Sequence, residues 1–250
     1  MDLRYTFGEN AEDYDRFRPR YCLELFQEIF QYANLKPKAS AVEIGPGTGQ
    51  ATQVFLQAGC KVRAAELSPK MAAYLREKFA GQAALTVSCC SFEDFQAENS
   101  SIDLVYSATA FHWVPEEIGY PKVYQILKPG GTLALFWNHP VVSRENRTLY
   151  EEIQAAYGRH RLTGKPPKKY EEVAQTIARY GFRDVQTKLF HSSRTFSAED
   201  YIRLLNTYSD HQTMEPNAKA ALEQDIRQAI LAAGGMVQLT DTMDLYLAKK

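Results

Sequence analysis

The sequence predicts an α/β fold built on a doubly wound, mostly parallel sheet, and three observations lead to this prediction. Apolar segments of strand type alternate with helical segments over residues 41–138. The first strand, 41–45, runs directly into a glycine-rich turn and then into a helix. A chain of 250 residues that is 45% hydrophobic can bury the core that one large α/β domain needs. Alternating strands and helices form parallel sheets covered on both faces.

The part before the first strand is predicted to be helical. Residues 13–20 are polar and aromatic, whereas 21–32 carries Leu23, Phe26 and Ile29 at helical spacing.

The central part of the chain supplies most of the predicted sheet. We expect strands near 41–45, 61–66, 84–89, 102–107 and 131–138, and helices near 48–58, 69–80 and 116–127. Ser68 and Pro69 form a cap followed by proline, which is typical of a helix start. Gly130 and Gly131 are expected to end a helix and to begin the fifth strand.

The remainder of the chain predicts two more strands and several helices. In order, these are helices near 145–157 and 170–183, a strand over 184–196, helices near 198–211 and 216–233, and a strand over 241–249. Gly234 and Gly235 provide a stop signal for the last helix.

The stretch around which the chain is organised is Glu43-Ile44-Gly45-Pro46-Gly47-Thr48-Gly49. A buried strand that turns into a helix exposes backbone N–H groups at the edge of the sheet where ligands bind. A dinucleotide fingerprint needs its third glycine where Gln50 stands, and glycine comes one position earlier. Glu43 would repel a pyrophosphate and attract an ammonium group.

A second acid, Glu66, lies 17 positions beyond Gly49, at the end of the second strand. A carboxylate there can accept hydrogen bonds from both ribose hydroxyls of a nucleoside. Together the two acids indicate a ligand that carries an amino group and a ribose but no pyrophosphate.

With these motifs the sequence resembles the class I S-adenosylmethionine-dependent methyltransferases, which have a Rossmann-like fold. Four landmarks stand in the family order: Glu43 to Gly49, Glu66-Leu67-Ser68, Ser91-Phe92-Glu93-Asp94, and Ile126 to Gly131. Two further segments are similar to the small-molecule branch that includes trans-aconitate methyltransferases: Tyr14 to Tyr21, and Ala108 to Val114. The resemblance implies a seven-stranded sheet whose last strand inserts antiparallel between the fifth and sixth.

The resemblance also implies the cofactor, S-adenosylmethionine, and its product S-adenosylhomocysteine. The residues assigned to the cofactor are Tyr14, Arg18, Glu43, Gly45, Pro46, Gly47, Gly49, Glu66, Leu67, Ser68, Met71, Ser91, Phe92, Glu93, Ala108, Thr109 and Ala110. Tyr14 and Arg18 would reach its methionine carboxylate from a lid, which an arginine favours because it can bind a carboxylate through two hydrogen bonds. The alternative is that they only anchor a surface helix. Met71 can fill the core instead of touching the adenine, and Ser91 to Asp94 can be an ordinary acidic turn.

The loop after the fourth strand is expected to face the transferred methyl group. Phe111, His112, Trp113 and Asn138 are assigned to the substrate pocket. His112 is the candidate catalytic residue, either as a general base or as a hydrogen-bond donor to an acidic substrate. It can also be a structural imidazole packed against Trp113. A carboxylate acceptor is already ionised at neutral pH and needs no base.

Four parts are expected: a lid over 1–40, the cofactor-binding core over 41–138, a cap insertion over 139–169, and 170–250 with inserted cap helices over 197–235. The cationic cluster of residues 158–169 is either a solvated loop or a site for an anionic substrate or RNA backbone.

Composition narrows the class of protein. The net charge of −1 gives no basic field for nucleic acid, and no stretch approaches the roughly 20 apolar residues of a membrane span. The N-terminus has no apolar signal-peptide region, and the four cysteines lack C-x-x-C spacing and indicate no metal site.

The sequence therefore predicts a cytoplasmic enzyme, monomeric or homodimeric, that methylates a small molecule and is compatible with a carboxylic acid substrate. Alternatives are a methyltransferase of RNA or protein, a non-catalytic module that binds the cofactor, and a nicotinamide-dependent oxidoreductase.

Overall fold

The computed structural model describes residues 10–160 and 170–250, which form ten helices and seven strands. The helices are α1 (Ala11–Phe17), α2 (Leu23–Ala33), α3 (Thr52–Gln57), α4 (Pro69–Lys78), α5 (Glu116–Ile126), α6 (Arg147–Arg159), α7 (Tyr170–Arg179), α8 (Ala198–Leu205), α9 (Ser209–Gln212) and α10 (Pro216–Ala232). The strands are β1 (Ser40–Ile44), β2 (Lys61–Glu66), β3 (Leu85–Cys89), β4 (Ile102–Ala108), β5 (Leu127–Val142), β6 (Arg183–Ser197) and β7 (Met236–Lys249). A 3₁₀ turn, Phe111–Trp113, follows β4.

The seven strands form one sheet in the order β3-β2-β1-β4-β5-β7-β6. β1 pairs in parallel with β2 on one side and with β4 on the other, and the parallel pairing continues to β3 and β5. The strand order reverses between β1 and β4, which makes this the switch point of the sheet.

The last strand runs antiparallel to β5. Gly131 accepts a hydrogen bond from Lys250 at one end of the pair, and Gln238 accepts one from Ser143 at the other. The start of each strand therefore meets the end of the other. The predicted fold class, including the insertion of β7 between β5 and β6, is confirmed.

The described chain divides into two compact units. The core unit comprises 20–138, 170–190 and 243–250, and the helical unit comprises 10–19, 139–160 and 191–242.

Two apolar clusters in the core unit follow from the pleat of its strands. Val42 and Ile44 belong to one cluster, whereas Ala41 belongs to the other. β7 repeats the pattern, with Tyr246 in the first cluster and Leu245 in the second. Successive side chains of a strand point to opposite faces, so the sheet is buried on both sides.

The helical unit has its own apolar core. Leu222, Ile226 and Ile230 are four residues apart on α10 and are fully buried, together with Ile153 of α6. This spacing places the three α10 side chains on one face of the helix.

Several predicted boundaries differ from the structure. β5 begins at Leu127 rather than at Gly131, because Leu127 already pairs with Ile102 across a register shift. The predicted helix over 198–211 is two helices, since Tyr208 adopts an extended conformation. β7 begins at Met236, five residues before the predicted start.

None of the helices in residues 10–160 and 170–250 combines the length and the apolar character that a membrane-spanning helix needs.

Candidate functional site

The candidate site lies in the core unit at the carboxyl ends of β1, β2 and β4, around the switch point. Three segments that follow these strands are brought together there: the glycine loop 45–49, the turn after β2, and residues 108–113. The first and third are in close contact, since a Cβ added to Gly45 would lie 2.5 Å from the Cβ of Ala110.

The glycine loop has a fixed backbone. Gly45 donates its N–H to the carbonyl of Ala65, and Gly49 donates to that of Pro46. Gly45, Gly47 and Gly49 all have positive φ angles, between 56° and 86°. At Gly45 the positive φ and the close approach of Ala110 both require a residue without a side chain.

Glu43 is buried at the end of β1, with 1% of its surface exposed. Its Oε2 atom accepts hydrogen bonds from the hydroxyls of Thr52 (2.5 Å) and Tyr106 (3.0 Å). Its Oε1 atom is buried and has no partner among the described residues. Burial raises the pKa of Glu43 to about 7, while the two hydroxyls act in the opposite direction and Glu66 adds to the increase.

Glu66 ends β2 and is held by backbone groups. Its Oε2 accepts from the N–H of Gly47 at 3.0 Å, and its Oε1 accepts from the N–H of Ser68 at 2.8 Å. Burial raises its pKa, against the effect of these hydrogen bonds. A carboxylate has about four lone-pair positions, so each oxygen can still accept a further hydrogen bond.

The turn after β2 begins α4. The Ser68 hydroxyl accepts from the N–H of Met71 at 3.4 Å, and Pro69 opens the helix, as predicted. Leu67 precedes them and is partly exposed, whereas Met71 is fully buried.

The segment after β3 forms a hydrogen-bonded turn. The Ser91 hydroxyl donates to Asp94 at 2.7 Å and accepts from the N–H of the same residue at 3.1 Å. Phe92 is buried and stacks on Phe95, and the carbonyl of Glu93 accepts from Lys122. The side chain of Ser91 is therefore engaged within its own turn.

Thr109 has a positive φ of 53°, which is rare for a β-branched residue. Its hydroxyl lies 2.6 Å from that of Tyr21 and accepts from the N–H of Asn138 at 3.2 Å. Its own N–H donates to the carbonyl of Phe136. These bonds hold the segment after β4 against β5. The side-chain oxygen of Asn138 is buried and has no partner in the described chain.

His112 lies in the 3₁₀ turn and is exposed. Its Nδ1 atom accepts from the indole N–H of Trp137 at 3.0 Å. Its ring centroid lies 5.0 Å from that of Trp113. Phe111, in contrast, is buried and meets Tyr120 edge to face in the apolar core.

Tyr14 and Arg18 belong to the helical unit. The Arg18 guanidinium lies over the ring of Tyr14 (4.7 Å) and over that of Tyr208 (4.1 Å), and its Nη2 donates to the carbonyl of Thr207 at 2.6 Å. Its Nε is buried and has no partner in the described chain. An arginine N–H in this state can bind an anion.

Part of the cationic cluster is paired with an acid. Arg159 and His160 both contact Asp225, at 2.9 and 3.2 Å. Residues 161–169 lie outside the described part of the chain. No group of three or more possible metal ligands occurs among the described residues.

Sequence reasoning missed the residues whose side chains contact and orient the candidate site residues. Thr52 and Tyr106 bind Glu43, Tyr21 contacts Thr109, and Trp137 binds His112. Trp137 stands next to Asn138 in the predicted fifth strand, but a strand pattern does not show which loop its side chain meets.

Comparison with known proteins adds independent information. A family model described as a methyltransferase domain matches residues 42–135. An uncharacterized methyltransferase of Schizosaccharomyces pombe is 27% identical over 97% of this chain and 93% of its own length. A malonyl-[acyl-carrier protein] O-methyltransferase of Pectobacterium atrosepticum is 33% identical over 53% of this chain and 51% of its own.

A solved structure shows a similar fold. Phosphoethanolamine N-methyltransferase 2 of Haemonchus contortus, in complex with phosphomonomethylethanolamine and S-adenosylhomocysteine, matches with a TM-score of 0.59 and 16% identity. The match covers 99% of this chain and 58% of that chain. At this identity the likeness concerns the fold alone.

Proposed function

Because this chain is a class I S-adenosylmethionine-dependent methyltransferase, we propose that it methylates a small carboxylic acid on oxygen. The observation that carries the cofactor part of the proposal is the pair of buried acids at neighbouring strand ends, with glycines between them. The name of the Pectobacterium relative, an O-methyltransferase of a malonyl group, supports a carboxyl acceptor.

The residues of the core unit fit the cofactor. Glu43 offers a buried carboxylate oxygen that has no partner among the described residues, which suits an ammonium group. Glu66 keeps acceptor capacity for ribose hydroxyls. Gly45, Pro46, Gly47 and Gly49 form the backbone cradle between the two acids. When bound, S-adenosylmethionine supplies a methyl group on a positively charged sulfur, which is an activated leaving group.

We further assign the adenine side to the turns after β2 and β3. Leu67, Ser68, Met71, Phe92 and Glu93 would provide apolar walls and backbone groups, as the resemblance implies. Ser91 joins them through its backbone, since its hydroxyl is bonded to Asp94.

The methionine carboxylate is assigned to Tyr14 and Arg18. The Nε of Arg18 is buried and has no partner in the described part of the chain, which supports a role in binding an anion, because an unpaired buried donor is costly. An arginine held between two tyrosine rings is also well oriented for a carboxylate.

The acceptor site is assigned to the segment after β4 and the end of β5. Ala108, Thr109 and Ala110 leave space for the cofactor, and Phe111, His112, Trp113 and Asn138 contribute to the acceptor pocket. Here Phe111 would act from the buried side, as support for the turn. Holding a carboxylate in line with the methyl group can contribute about 7–11 kcal/mol through proximity.

The experiment is a product assay. Purified full-length protein is incubated with S-adenosylmethionine and a panel of di- and tricarboxylic acids, their methyl esters, amines, and RNA. Release of S-adenosylhomocysteine with free acids alone supports the proposal. Turnover with amines or RNA, or binding of the cofactor without turnover on any acceptor, would contradict it.

We also propose a cytoplasmic location. The four cysteines, Cys22, Cys60, Cys89 and Cys90, are free thiols in the structure, as in a reducing compartment. The division of the chain into a lid, a cofactor-binding core, a cap insertion and a C-terminal part with cap helices stays a prediction about what each part does.

A further inference from the structure

The contact between Trp137 and His112 determines which nitrogen of the histidine carries the proton. The indole N–H of Trp137 lies 3.0 Å from Nδ1 of His112. An indole nitrogen is only ever a donor, so Nδ1 must be the acceptor. The neutral imidazole has one protonated nitrogen, which is therefore Nε2.

Trp137 is itself held in place. It lies in β5, and its ring meets the buried ring of Tyr246 edge to face, with centroids 5.8 Å apart. The next residue, Asn138, is tied to Thr109 in the segment that leads to His112. The donor and the acceptor of the Trp137–His112 bond are thus both attached to ordered parts of the core unit.

In the Nε2–H tautomer, His112 cannot act as a general base through Nε2. A base at Nε2 needs a lone pair on that atom, which requires the proton to sit on Nδ1. An Nδ1–H group would point at the indole N–H and leave both donors without an acceptor. In the observed arrangement the proton of a neutral His112 lies on Nε2, which is therefore a donor atom.

We propose that Trp137 is a positioning residue that keeps His112 as an Nε2–H donor, and that the acceptor therefore enters already ionised, as a carboxylate. This inference rests on the proposed function and narrows it. A carboxylate oxygen lone pair forms the bond to the methyl carbon, the carbon–sulfur bond breaks, and its electron pair stays on sulfur. No proton is released, so no base is needed.

The first test reads the tautomer directly, without cofactor or substrate. Full-length protein labelled with ¹⁵N-histidine is studied by long-range ¹H–¹⁵N correlation at a pH where the ring is neutral. The spectrum of His112→Gln identifies the His112 signals among the five histidines. We expect the Nε2–H tautomer in the wild type and a mixture of tautomers in Trp137→Phe. An Nδ1–H tautomer in the wild type overturns the inference.

The second test separates the two nitrogens by substitution. Glutamine places its amide N–H near the position of Nε2, whereas asparagine places its amide near Nδ1. We expect His112→Gln to retain kcat/KM for an active acid within about 5-fold, and His112→Asn to lose at least about 10-fold. A loss of about 100-fold or more in both variants would indicate a base and overturn the inference.

The controls separate this inference from the proposed function. His191→Gln changes an exposed histidine in β6 that contacts Thr242, and we expect the parent kcat/KM. S-adenosylhomocysteine affinity, measured by calorimetry, should be unchanged in His112→Asn. A wild type that binds no cofactor refutes the proposed function. A wild type that methylates only amines or phenols refutes both the proposed acid substrate and this inference. An Nδ1–H tautomer in a wild type that methylates free acids refutes this inference alone.

Discussion

Among single residues, Glu43 and Glu66 show how one residue type is used in two ways. Glu66 accepts two backbone N–H groups, which fix the glycine loop and the start of α4. Glu43 accepts hydrogen bonds from two side-chain hydroxyls on one oxygen, and its other oxygen has no partner within residues 10–160 and 170–250. The first arrangement builds the site, and the second keeps an acceptor available in it.

The raised pKa of Glu43 makes stability depend on pH. Its ordinary value is 4.5 and its value in the folded protein is about 7, so folding favours the protonated form. The resulting stabilisation is complete below about pH 4.5 and is lost as pH rises through about 7. The difference of about 2.5 pKa units corresponds to about 3 kcal/mol.

Glu43→Gln mimics the protonated form and should remove this dependence. Without cofactor, we expect its unfolding free energy relative to the wild type to increase by up to about 3 kcal/mol between pH 4.5 and pH 8. Urea denaturation at several pH values measures the difference, in which contributions of other groups cancel. A difference that stays constant with pH would show that Glu43 is not protonated on folding.

At the scale of elements, the glycine loop is shaped as much by its neighbours as by its own residues. A Cβ on Gly49 would lie 2.5 Å from the ring of Phe79 and 2.7 Å from Leu75. α4 therefore packs directly on the loop backbone. The glycine at this position allows helix and loop to approach, and it also has a positive φ.

Gly49→Ala and Gly59→Ala separate these two requirements. Both glycines have a φ near 80°, but a Cβ on Gly59 would meet no atom of the described residues within 4 Å. We expect Gly49→Ala to lower the unfolding free energy by about 1–3 kcal/mol more than Gly59→Ala, because only the first forces atoms apart. Urea denaturation of both variants measures this. Equal losses would mean that backbone strain alone explains the glycine.

At the level of the whole molecule, the chain combines a core unit, which contains the parallel part of the sheet, with a helical unit that has a separate apolar core. The core unit carries the acids, the glycines and the His112 turn. The helical unit contains three residues in one short stretch with buried side-chain atoms that have no partner in the described chain: Asn206, His211 and Gln212. Buried polar atoms are normally hydrogen-bonded, so these three side chains are exceptions within the helical unit.

Thermal stabilisation by the cofactor should distinguish a methyltransferase from the alternative of a nicotinamide-dependent oxidoreductase. S-adenosylhomocysteine at about 100 times its Kd should add about 2.7 kcal/mol and raise Tm by about 5–10 °C. NAD⁺ at the same concentration should leave Tm unchanged. Glu66→Ala should reduce the shift, whereas Glu98→Ala, at an exposed site, should not. A shift with NAD⁺ alone would contradict the assignment.

The fold was predictable because its signals are local. These signals are the spacing of apolar residues in strands and helices, the proline after Ser68 and the glycines after α10. Each depends on residues that are neighbours in sequence, and most observed elements lie close to the predicted ones. Errors lie where distant pairing extends an element: β5 begins early because Leu127 pairs with Ile102. The break in the predicted helix over 198–211 could not be predicted either. The apolar residues around Tyr208 keep the spacing of a helix, although the backbone there is extended.

The order of elements, the acids at two strand ends and the glycines that follow the first of them could be read from the amino-acid sequence, since each depends on residues adjacent in the chain. The folded arrangement was needed to show that Thr52 and Tyr106 share one oxygen of Glu43, and that Trp137 donates to His112. Such contacts join residues 9 to 63 positions apart. Their partners are selected by strand register and packing, and the protonation of the two groups at the site depends on those partners.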